Sequence, residues 1–332
     1  MRGALQGPIW GGGVGVLLGS ALLVNLSSGS TALEMRAILS YFAGAQVPGV
    51  QGIVLETVRL PRAFAGISVG LALGLSGAIL QSVTRNPLAA PGLLGVTAGA
   101  SFAVVALIAV LPGTPSLGGL TCAAFCGALL ACLGSFALAG GFRARGLGVL
   151  RLILSGTIMS ILLGALTTAV VLFDAEALGQ TQIWLAGSLA DRPVALTYQL
   201  GLPLLALTLA GLAIARPLSI VGMGDVLAAG LGVSPLRWRL IGIVMATAMT
   251  ALAVALAGPI GFVGLAAPHI ARFARAGRTG WLLPASALAG AVLLLLADAA
   301  AREIVAPAEV SVGVLTTLIG APVLIWQLRR AF

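Results

Sequence analysis

Arg59-Leu-Pro-Arg62 opens a stretch that carries no charge from Ala63 to Thr84 and closes on Arg85-Asn86-Pro87-Leu88, and after Pro91 a second uncharged stretch begins. About 20 apolar residues span a bilayer, and the 22 residues from Ala63 to Thr84 meet that length with arginine at both ends. The stretch therefore reads as two membrane crossings joined by a tight polar turn. A soluble pair of buried core helices is the weaker reading.

The rest of the 332 residues agrees. Fifty-nine per cent are hydrophobic and 8% charged, and the mean hydropathy is +1.12. This is the composition of an all-α, polytopic membrane protein with a single transmembrane domain over 1–332. The net charge of +9 comes from 18 arginines and no lysine. No run of them alternates with aromatics, so the charge reports topology and no nucleic acid partner is implied.

Apolar blocks between charged or Pro/Gly breaks give ten candidate spans, at 8–27, 63–84, 91–111, 116–139, 152–173, 194–215, 238–257, 259–271, 281–300 and 311–328. The eighth is short and holds Gly258, Pro259, Gly261, Gly264 and Pro268 in or beside it, so it reads as a partial crossing packed among other helices. The first is read as a retained span and not a signal peptide, because its apolar run is long for one.

With ten crossings and an inside N-terminus, 13 of the 18 arginines fall on the inner side. The outer side keeps Arg36, Arg59, Arg62, Arg192 and Arg302 together with most of the acids. The positive-inside rule supports that orientation, with both termini cytoplasmic. A weak internal repeat, Leu88-Ala89-Ala90-Pro91 against Leu265-Ala266-Ala267-Pro268, takes Arg62 to Arg239 at the same offset. It would relate span two to span seven in reversed direction, an inverted repeat of the kind transporters use.

Cys122, Cys126 and Cys132 lie in the fourth span without histidine or carboxylate, and read as small core residues with no metal site. His269 is the only histidine and is read as a packing or helix-end residue. Asp298 is an acid inside a span and functional by default, but Arg302 stands one helical turn on, so an internal ion pair is its first explanation.

The ordered motifs Arg59-Leu-Pro-Arg62, Gly70, Gly77, Gln81, Arg85-Asn86-Pro87-Leu88-Ala89, Pro91, Gly95-Val96 and Gly99-Ala100 resemble the membrane permease subunits of type II ATP-binding-cassette importers for ferric siderophores, haem and cobalamin. The second half agrees through Trp184, Gly187-Ser188-Leu189, Leu231-Gly232-Val233, Gly258-Pro259-Ile260-Gly261-Phe262, Pro268-His269, Asp298 with Arg302, and Gly313-Val314-Leu315-Thr316. The resemblance covers nearly the whole chain. It implies a bacterial cytoplasmic (inner) membrane, a pair of permease copies with the pathway between them, two cytoplasmic ATPases, and an extracytoplasmic substrate-binding protein. ATP and Mg belong to the partner ATPase; this chain has no Walker-type loop and no lysine to supply one, and no cofactor of its own is expected.

The resemblance also assigns roles. Arg59, Arg62 and Arg302 would meet acidic residues of the binding protein, against a simpler reading as snorkelling residues or partners of Glu56 and Glu303. The inner loop 216–235, with Asp225, Ala228, Leu231 and Gly232, would form short helices coupling to the ATPase. Asn86 and Leu88 would sit at the cytoplasmic gate, and Asn86-Pro87 favours a turn there in any case. A second gate segment near 146–150 matches no pattern position by position. The segment 86–100 reads closest to the ferric-siderophore branch, with haem and cobalamin open. An ion-coupled carrier would want several ionisable groups within the spans, and an intramembrane enzyme would want paired acids or a Ser/Lys pair; neither set is present.

Overall fold

The computed structural model describes residues 6–29, 33–111, 115–140, 149–173, 182, 184–190, 192–273, 281–306 and 308–331. Side chains are described for these except 6–14, 149, 173, 321 and 323–331. Among them all regular structure is helical: α1 (Gln6–Ser27), α2 (Met35–Phe42), α3 (Val50–Thr84), α4 (Val96–Val110), α5 (Leu117–Leu138), α6 (Val149–Phe173), α7 (Val194–Ala213), α8 (Ala215–Gly222), α9 (Asp225–Gly230), α10 (Pro235–Ala257), α11 (Val263–Phe273), α12 (Leu282–Glu303) and α13 (Val312–Ala331). The 146–150 segment lies largely outside the described residues, as do Arg2, Arg143, Arg145, Asp174, Glu176, Asp191, Arg275 and Arg278, which enter the orientation count.

Among the described residues six helices are long and apolar enough to cross a membrane: α3, α5, most of α6, α7, α10 and α12. Ten crossings are therefore not established among the described residues. Gly15–Ser27 and α4 are apolar but shorter, and α11 has 11 residues, about 16 Å of helix, too short to cross alone.

The helix α3 is longer than its sequence suggests. It begins at Val50, well before Ala63, and runs for 35 residues. Pro61 lacks an N–H and its ring crowds the carbonyl one turn back, which in a regular helix interrupts the ladder. The widened turn at Leu55–Arg59 just precedes it and lets the helix continue through. The uncharged stretch begins only at Ala63, after Arg62, so the sequence hides the earlier start.

The core forms around α3. Gly66, Gly70 and Gly74 repeat at four-residue spacing along it, the small-residue pattern that lets apolar helices approach closely. A Cβ on Gly74 would stand 2.2 Å from the Ser286 carbonyl oxygen of α12. One on Gly77 would stand 1.7 Å from the Gly264 carbonyl oxygen of α11. Only hydrogen fits at either place. Ser76 and Thr250 then join α3 to α10 by a hydroxyl–hydroxyl bond of 3.3 Å.

Two sequence readings change in the folded chain. Cys122 and Cys126 are exposed on α5 and are not core residues, while Cys132 is half-buried with its Sγ 3.2 Å from Thr247 Oγ1. The repeated tetrapeptide takes two backbones, a turn leading into a 3-10 helix at Pro91–Leu94 and an α-helix within Val263–Phe273. The two copies are neighbours: a Cβ on Gly264 would meet Pro91 Cδ at 2.8 Å.

Candidate functional site

Arg62 and Thr84 bound the regular part of α3, about 33 Å apart at 1.5 Å per residue, close to the thickness of a hydrocarbon core, and Asn86 lies just beyond Thr84. Each end gathers a cluster of the residues singled out by sequence.

At the Arg62 end the organising group is Asp298 of α12, which has no exposed surface. Its Oδ1 accepts from Arg62 Nε at 3.0 Å and Nη2 at 2.9 Å. Its Oδ2 accepts from Arg302 Nη2 and from Asn25 Nδ2 of α1, each at 3.0 Å. Arg62 Nη1 also donates to Glu309 Oε2 at 2.7 Å. Arg302 reaches back to α1, donating to the Asn25 carbonyl at 2.8 Å and the Ser28 carbonyl at 2.8 Å. Gly29 N donates to Glu303 Oε1 at 2.7 Å.

Three arginines and three acids thus share one end, and the first helix is stapled to α12 through them. The Asp298–Arg302 pair was legible from i,i+4 spacing. The Asp298–Arg62 pair, 236 residues apart in sequence, was not. Asn25 and Glu309 were missed entirely; a polar Asn in an apolar run was the available signal for the first.

Arg59, Arg62 and Arg302 are not the water-facing side chains that direct docking presumes. Their exposures are 5%, 9% and 3%. A buried guanidinium is strongly penalised unless carboxylates and carbonyls satisfy it, and here the fold itself supplies those partners for Arg62 and Arg302. Arg59 packs against Gly29, where a Cβ would fall 2.4 Å from its Nη2. Beside this cluster a cavity of about 400 Å³ is lined by Arg62, Arg192, Ser188, Thr197, Glu309 and Ser311.

At the other end Arg85 terminates α3 in the left-handed region, φ 51° and ψ 32°. Asn86 Oδ1 then accepts from Leu88 N at 2.9 Å, the side-chain turn that Asn before Pro favours. Leu88 is 40% exposed. The loop expected to form short helices does so, as α8 and α9. Asp225 at the start of α9 accepts from Arg85 Nη2, and from Arg239 Nη2 at 2.7 Å.

Of the four residues expected to couple, Leu231 is exposed and Gly232 has φ +74° with nothing within 4 Å of where a Cβ would stand. Asp225 is half-exposed, but Ala228 is fully buried and turns into the chain, so it offers no surface to a partner. Val226 and Leu227, not singled out before, complete an exposed apolar cap with Leu231. The lone His269 shares its Nδ1 with the Leu265 carbonyl one turn back at 2.8 Å, as a helix-packed residue does.

Relatives share the whole length of the chain. It is 40% identical over 318 residues to the ferric enterobactin transport system permease protein FepD of Escherichia coli (strain K12), covering 96% of this chain and 94% of that protein. It is 34% identical over 334 residues to the hemin transport system permease protein HmuU of Yersinia pestis, covering 99% and 98%. A solved transporter assigned to the metal-chelate ABC type, in an inward-facing conformation, superposes with a TM-score of 0.84 at 30% identity over 97% of this chain and 99% of its own. The model of the FecCD transport family matches residues 17–330, and the chain belongs to that family.

Proposed function

We propose that this chain is the permease subunit of an ATP-driven importer that carries an iron complex, a ferric siderophore, from the periplasm or cell exterior into the cytoplasm. The observation that carries the reading is the 40% identity to the ferric enterobactin permease along 96% of the chain. Haem and cobalamin are the runners-up, favoured by the hemin permease likeness and by 39% identity to the vitamin B12 import permease BtuC of Citrobacter koseri. An ion-coupled carrier is disfavoured because the buried acid Asp298 is already paired with two guanidiniums of its own chain, Arg62 and Arg302.

In this reading the chain lies in the bacterial inner membrane with ten crossings, both termini cytoplasmic, and works as a homodimer with two ATPases that bind ATP and Mg. The pathway runs between the copies. Support comes from α6, of whose apolar window only 11% is buried in the single chain, and from an open apolar groove along α13 lined by Leu185, Pro259, Val314, Thr317 and Leu318. Asn86 and Leu88 form the cytoplasmic gate. The exposed cap of α9 with Asp225, Leu231 and Gly232 receives the ATPase. Arg59, Arg62 and Arg302 receive the binding protein, whose acids then compete with Asp298 and Glu309 for guanidiniums already engaged.

Uptake into proteoliposomes holding the permease, its ATPase and its binding protein tests the cargo. Ferric siderophore should accumulate with ATP, while haem and cobalamin added side by side should not. Accumulation of haem or cobalamin instead would move the chain to that branch.

A further inference from the structure

Asp225, at the start of α9, ties that helix to two other elements. Its Oδ1 accepts from Arg85, which caps α3 just beyond Thr84, and from Arg239 in the first turns of α10. Arg85 Nη2 also donates to the Val221 carbonyl at the end of α8, at 3.1 Å. One residue beyond Arg85 begins the Asn86 turn that presents Leu88. Arg85 itself is held in the left-handed region, which a residue with a Cβ seldom adopts without tertiary constraint.

The geometry points to Asp225 as a positioning residue that clamps the short helix α9 to the Asn86-Pro87-Leu88 turn, so that loop and turn move as one body. The Arg85 pair alone, at 39% and 50% exposure for Arg85 and Asp225, is weak in water, and the Arg239 pair shares the same half-exposed carboxylate. The arrangement matters more than either pair, because one carboxylate separates two guanidiniums. Without it Arg85 and Arg239 repel across the gap it filled, and the turn is released from α10 as well as from α9.

This rests on the reading of α9 as the ATPase-facing element only for its consequence in transport; the clamp stands on the hydrogen bonds. If both hold, a push on α9 reaches Leu88 through one side chain and one backbone residue.

The test reads the clamp and the coupling separately. In the assembled complex, with Cys122→Ser, Cys126→Ser and Cys132→Ser, a Leu88→Cys thiol reports the turn by its maleimide labelling rate without nucleotide. Asp225→Ala and Arg85→Gln should each raise that rate about 5-fold, within the range of coupling between linked sites. The double variant should do no more than either single one, and Asp225→Glu should restore the parent rate. Uptake per ATP hydrolysed should fall with Asp225→Ala and recover with Asp225→Glu. Unchanged labelling in both single variants, or additive effects in the double, overturns the clamp. Leu231→Arg tests the other reading: retained association of the ATPase with that variant rejects α9 as its contact while the labelling result decides the clamp.

Discussion

Asp298 receives four N–H groups from Arg62, Arg302 and Asn25, and each of those residues sits on a different turn of helix or a different helix. Removing the carboxylate leaves two buried guanidiniums without their main counter-charge, which costs far more than the pair contributes while intact. Asp298→Ala should therefore destabilise the chain by about 3–5 kcal/mol, checked by thermal unfolding of the purified protein in detergent. Glu309→Gln touches the same arginine, but Glu309 is 41% exposed and water can replace it. Its cost should stay under about 1 kcal/mol. Equal effects of the two changes would mean that Arg62 does not depend on the buried acid. The i,i+4 half of this cluster was readable along the helix; Arg62 and Asn25 were not, because no periodicity links residues on separate helices.

At the scale of elements, α3 is the helix against which α7, α10, α11 and α12 pack, and its glycines set how closely they approach. Gly77→Val places a side chain 1.7 Å from the Gly264 carbonyl oxygen, a backbone atom with no rotamer to yield. Backbone shifts of that kind cost at least 1–3 kcal/mol in a packed core, roughly the range seen for overpacking. We expect Gly77→Val to lower the melting temperature and the yield of assembled complex. Gly164→Ala on α6 meets nothing within 4 Å in its own chain and should leave the melting temperature of the chain unchanged. A Gly77→Val protein with parent stability would show that α3 and α11 separate readily. Gly77 and Gly164 both lie in apolar helices, where close packing of neighbours is the general expectation. The sequence did not say which had a neighbour, and it placed the start of α3 too late because the uncharged stretch begins only after Arg62.

For the whole molecule, the pathway between two copies is the reading with the most direct test. In the cysteine-free background, Leu88→Cys should cross-link between copies on oxidation and stop ATP-driven uptake, restored by reduction. Position 88 is exposed and ends a turn anchored at both sides, so its approach to the second copy is not a matter of a loose loop. Absence of a cross-link in every nucleotide state would reject this arrangement of the pair.

The sequence by itself determined that the chain is a helical membrane protein, where the apolar segments lie, that one arginine pairs with the intramembrane acid one turn away, and which family it resembles. These follow from composition, from the length a bilayer demands, and from the short-range periodicity of a helix. The tertiary structure alone decided which helix is central. The apolar windows of α3 and α6 have mean hydropathies of 2.0 and 1.9, yet 83% of one and 11% of the other is buried in the chain. In water a helix announces its buried face by being apolar on one side. In lipid both faces are apolar, so the pattern that would assign inside and outside is erased, and only packing separates the helix that other helices surround from the one left to lipid or to a second copy. The same reason hid the two ionic clusters at the ends of α3, whose members lie 236 and 140 residues apart and meet only once the bundle has closed.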